Sequence, residues 1–143
     1  MNRKLITMTG IVLGLVLAGA GTAASRGTVS KDARIVIRHQ LRGCHTWSVN
    51  GGPFRASQSL QITRGGTITF VNNDVMPHKL VETSGPAVRR SGNATMRHVG
   101  ASVEILFSKR GLYRFTTKAG EDYMPGVKTI GEDNVLRLNV TVR

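Results

Sequence analysis

The stretch "LQITRGGTITFVNNDVMPHKLVE", residues 60–82, decides how the rest of the chain reads. Leu60 and Ile62 alternate with polar neighbours, and Ile68 and Phe70 do the same beyond a Gly65-Gly66 pair. Alternation of period two marks half-buried strands, and a glycine pair between two such runs predicts a turn. A short connection, Asn72 to Pro77, then leads into "HKLVET" (78–83), a further strand with His78 at its first position.

Working outward, the same pattern recurs. In "ARIVIRHQL" (33–41), Ile35, Ile37, His39 and Leu41 share one face, and Arg34, Val36, Arg38 and Gln40 the other. "ASVEILF" (101–107) and "GLYRFTT" (111–117) are strands separated by a "SKRG" turn. "VLRLNVTV" (135–142) presents Leu136, Leu138, Val140 and Val142 on one side. Residues 84–100 carry no periodicity and read as a long excursion with room for a short helix. Residues 118–134 read as a long loop. About seven short strands at this spacing, with no internal repeat, predict an all-β antiparallel sandwich.

The N-terminus is of another kind. Arg3 and Lys4 precede an apolar run from Leu5 to Ala20, and Thr22 and Ala24 fit the small-residue rule for cleavage. Residues 1–24 therefore read as a secretory signal and residues 25–143 as one domain, exported to the periplasm or beyond and not spanning the membrane after cleavage. An uncleaved anchor is the alternative. The whole chain carries 20 Lys and Arg against 8 Asp and Glu, a formal charge of +12. Its basic residues are scattered and aromatics for base stacking are few, which argues against nucleic acid. A cationic surface of this kind suits an acidic partner protein or an anionic envelope surface. No hydrolase motif or phosphate-binding loop is present.

The 60–82 stretch, a strand, a glycine turn, a strand ending in Asn-Asn-Asp, then Pro-His and another strand, resembles the cupredoxin family. "GLYRFTT" resembles that family's Gly-x-Tyr-x-Phe strand. The resemblance spans about residues 57–142, and 84–100 fits it least. It implies a Greek-key β-sandwich binding one copper ion, with His78 as a ligand. It also implies a cysteine, a histidine and a methionine after the Tyr-x-Phe strand, and there the pattern departs. Thr117 stands at the cysteine position and Gly120 near the histidine position; only Met124 remains in place. Neither threonine nor glycine supplies the soft thiolate or imidazole of a blue-copper site.

The chain's single cysteine lies elsewhere, in "LRGCHTWSVNGG" (41–52), directly before His45. In a sandwich of this type that loop shares an end with His78. The expected rearranged set is Cys44, His45, His78 and Met124: a thiolate, two imidazoles and a thioether, which suits copper. Cys44 can equally be a small buried hydrophobe or an intermolecular disulfide partner, and adjacent residues on an extended strand point apart. His39 is a reserve ligand or a core histidine, and Trp47 either shields such a site or fills core. Met96 and His98 in "TMRH" form a second thioether–imidazole pair suited to Cu(I), and Met76 reads as packing. Glu121 is an alternative oxygen ligand, or a solvated acid in one of two Gly-Glu-Asp turns. The expectation is a monomeric, copper-binding electron carrier rather than an enzyme. A copper carrier, or a metal-free sandwich dimerising through Cys44, is the alternative.

Overall fold

The computed structural model describes residues 29–39, 45–119 and 135–143. The segment expected to be a secretory signal (1–24), Cys44 and the stretch holding Gly120, Glu121 and Met124 lie outside them. Every regular element among the described residues is a strand: β1 Ser30–His39, β2 His45–Val49, β3 Ser57–Asn72, β4 His78–Ser84, β5 Arg89–Ser91, β6 Thr95–Met96, β7 Ser102–Phe107, β8 Gly111–Ala119 and β9 Arg137–Val142.

The part of the decisive stretch around the glycine pair, residues 60–72, lies in one strand and not in a hairpin. β3 runs 16 residues straight through the glycine pair. Its first half, Ser57–Ile62, pairs parallel with β9. Its second half pairs antiparallel with β7 from Gly66 to Val71 and parallel with β1 from Thr67 to Asn72. One strand therefore belongs to two layers, β2-β1-β3-β7-β5 and β3-β9-β8-β4-β6. The glycines permit the bend between them. Gly65 has φ +79°, and a Cβ on Gly66 would run into the Lys31 carbonyl and come within 2.9 Å of the Thr63 carbonyl. Opposite the bend, Asp32 Oδ1 accepts from Thr67 Oγ1 at 2.8 Å. The sandwich is thus mixed where antiparallel pairing was expected, because β3 reaches β1 and β9 in the parallel sense.

The core lies between the layers, and strand alternation fills it. Ile35 and Ile37 of β1, Val103, Ile105 and Phe107 of β7, Tyr113 and Phe115 of β8, and Leu138, Val140 and Val142 of β9 are all buried. Aromatic rings bridge the layers: Phe115 lies 5.6 Å from Phe70 and 6.0 Å from Phe107, and Phe107 meets Tyr113 edge-on at 4.9 Å. The Tyr113 hydroxyl donates to the Lys109 carbonyl at 2.6 Å, closing the "SKRG" turn.

Residues 84–100 hold no helix. They contribute β5, paired with β7, and β6, paired with β4. Both are too short to show a period in sequence. No helix among the described residues is long and apolar enough to cross a membrane.

Candidate metal centre

The site grows from the connection between β3 and β4. Asn72 ends β3 fully buried, and its side chain uses all it has. The amide donates to the carbonyls of Met76 (2.8 Å) and Met96 (3.1 Å), and its oxygen accepts from the Asp74 amide (2.9 Å). The Asn73 amide donates to Ile37 of β1 at 2.8 Å. Asp74 Oδ1 accepts from the Met76 amide at 3.1 Å, and this turn leaves Oδ2 aimed into the end of the sandwich.

Three imidazoles converge on that oxygen. His78 Nε2 lies 3.1 Å away, His45 Nδ1 3.3 Å and His39 Nδ1 3.9 Å. Each comes from a strand terminus: His78 opens β4, His45 opens β2 and His39 closes β1. His39 and His45 are direct cross-strand partners, so their side chains share a face. The His39 and His45 rings stand 5.9 Å apart, and those of His45 and His78 4.8 Å apart at 86°. The donor atoms of His39, His45 and Asp74 all lie within 4.8 Å of one another.

Burial alone would raise the Asp74 pKa. The Met76 amide, the hydrogen bond and charge of His78, and the His45 hydrogen bond outweigh it, so the carboxyl is held below its ordinary value. An ionised carboxylate only accepts, so the ring nitrogens of His45 and His78 that face it carry the hydrogens. Burial falls off toward the surface: the Asp74 and His78 side chains are fully buried, whereas that of His39 is 49% exposed.

Of the four residues singled out from the sequence, His45 and His78 are brought together, and Cys44 and Met124 lie outside the described residues. Cys44 immediately precedes His45. Ala119, the last described residue before Met124, pairs directly with His78. His39 joins the group. Asp74 was read only as part of the Asn-Asn-Asp end of a strand; its place four residues before His78 is the one sequence signal that could have found it. Met96 is in the core opposite His78 while His98 is exposed and bonded to the Val99 carbonyl, so "TMRH" does not form a surface pair. Trp47 is core, and its indole nitrogen has no hydrogen-bond partner among the described residues.

No protein-family profile and no curated protein matches the chain. Among solved structures it is similar to a purple cupredoxin from Nitrosopumilus maritimus, at 20% identity over 78% of this chain and 100% of that one, with a TM-score of 0.46. It is similar also to amicyanin from Paracoccus versutus (19% identity, 76% and 79% covered, TM-score 0.42). A multicopper oxidase matches at 18% identity over 78% of this chain and 41% of that one, with a TM-score of 0.45. The described fold itself is an all-strand, two-layered mixed sheet.

Proposed function

We propose that the chain is an exported, copper-binding, cupredoxin-like protein that transfers single electrons through a rearranged site. In this reading His45 and His78 are the imidazole ligands, Cys44 the thiolate and Met124 the weak thioether. The observation that carries it is the meeting of His45 and His78, from two different strands, at one buried end of the sandwich. The donor chemistry fits: imidazoles with a sulfur ligand favour copper, and bound copper would supply the one-electron couple.

The chain's own residues do the rest. Asp74 takes one nitrogen of each imidazole, which fixes ring orientation. Asn72 holds Asp74 in turn. Rigid strands around the site keep ligand rearrangement small between oxidation states. The cationic surface would dock an acidic redox partner or an anionic envelope surface and speed encounter.

The test is a copper titration of residues 25–143, followed by absorption and electron paramagnetic resonance, with Cys44→Ser and His78→Ala alongside. One equivalent of copper with thiolate-to-copper charge transfer, lost in both variants, is the expected result. Absence of tight copper binding, or binding indifferent to Cys44, would overturn the reading.

A further inference from the structure

We infer that His39, His45 and Asp74 form a thiolate-free site for a divalent transition ion of intermediate hardness, such as cobalt or zinc. It lies at the same end of the sandwich as the proposed copper centre and shares His45 with it. It needs neither Cys44 nor Met124, and so stands apart from that reading.

Geometry comes first. Around a tetrahedral ion with metal–ligand bonds of about 2.0–2.1 Å, neighbouring donors lie about 3.4 Å apart. Asp74 Oδ2 and His45 Nδ1 are 3.3 Å apart, and Asp74 Oδ2 and His39 Nδ1 3.9 Å. All three donors lie within 4.8 Å. Only His39 has to close in, and its half-exposed side chain at the end of β1 has the freedom to do so. The other two donors are held: His45 stands opposite His39 in strand register, and Asp74 is fixed by the Met76 and Asn72 bonds.

Charge points the same way. The Asp74 carboxylate is wholly buried, and its ion-pair partners among the described residues are the three histidines, with no lysine or arginine. A buried carboxylate calls for a cation, and coordination provides one. Two imidazoles and a carboxylate, with no sulfur, select borderline divalent ions over Cu(I). Binding through Nδ1 requires the His45 ring hydrogen to sit on Nε2. His78, donating to the same Oδ2, becomes an outer support of the carboxylate ligand. Exposed His39 marks the entry side, where water fills the fourth position.

The test is a cobalt(II) titration of the metal-stripped protein, read by its visible d–d absorption, with zinc displacement as a second readout. Wild type and Cys44→Ser are titrated first. His39→Ala and Asp74→Asn are then each placed on the Cys44→Ser background, with circular dichroism to verify folding. The expected result is one equivalent of cobalt in Cys44→Ser with no thiolate charge transfer. His39→Ala should weaken it by more than the roughly 10- to 100-fold typical of outer-shell changes. Asp74→Asn should do the same. Because His39 is exposed, its variant decides the matter even if Asp74→Asn folds poorly. No cobalt binding in Cys44→Ser, or binding unmoved by His39→Ala, would overturn the inference. Copper charge transfer that depends on Cys44 is scored separately, so either reading can fail while the other stands.

Discussion

Asp74 divides its two oxygens between two tasks. Oδ1 is tied to the backbone and Oδ2 gathers histidines from three strands. Its carboxyl is more acidic folded than unfolded, so its contribution to stability is complete above the ordinary carboxylate pKa and is lost as pH falls through the folded value. Urea midpoints of the metal-free protein, measured from neutral pH down to about pH 2, should therefore fall more steeply for wild type than for Asp74→Asn. Asn72→Ala removes two donors and an acceptor from a buried position and orphans two carbonyls and an amide. It should cost about 3 kcal/mol or more in chemical denaturation, since three buried groups lose this partner and each unsatisfied group costs about 1–3. At this scale the sequence was half legible. His78 was marked by Pro77 and the strand after it, and His45 by its neighbouring cysteine. Asp74 was not, because an aspartate in "NNDVMP" looks like any turn residue until β1, β2 and β4 bring three imidazoles to it.

Strands with a buried and a solvated face announce themselves by alternation, which is why β1, β7, β8 and β9 could be read directly. β3 could not, because a glycine pair between alternating runs is the same signal for a reversal and for a bend. What decides is which strands stand ready on either side, and that is a property of the assembled sandwich. β5 and β6, of three and two residues, carry too little sequence to have a period. Gly66→Ala should be strongly destabilising, because its Cβ meets fixed backbone carbonyls rather than a yielding side chain. Thermal melts should show a large drop in midpoint, whereas Thr69→Ala on the same strand should move it little. Phe115→Ala removes the ring that contacts both Phe70 and Phe107 across the layers. By analogy with other buried phenylalanines it should cost about 3–5 kcal/mol.

Over the whole molecule the +12 formal charge has no single focus; the described arginines and lysines are spread over both layers. Association with an acidic protein or an anionic vesicle should accordingly be diffuse and salt-sensitive. Binding at about 0.01 M salt should be lost by about 1 M, as the screening length shrinks from about 30 to about 3 Å. Retention at high salt would indicate a specific apolar contact instead. The all-β class was legible from strand spacing, whereas the sharing of one strand between layers was not. That sharing has a consequence for how the molecule comes apart. Neither sheet can peel away while the other persists, because β3 would have to leave both at once. The amides of Ile62, Ile68 and Phe70 should then exchange with deuterated solvent only when the entire domain opens, at the global unfolding free energy. The β5 and β6 amides, each tied to a single neighbouring strand, should exchange long before.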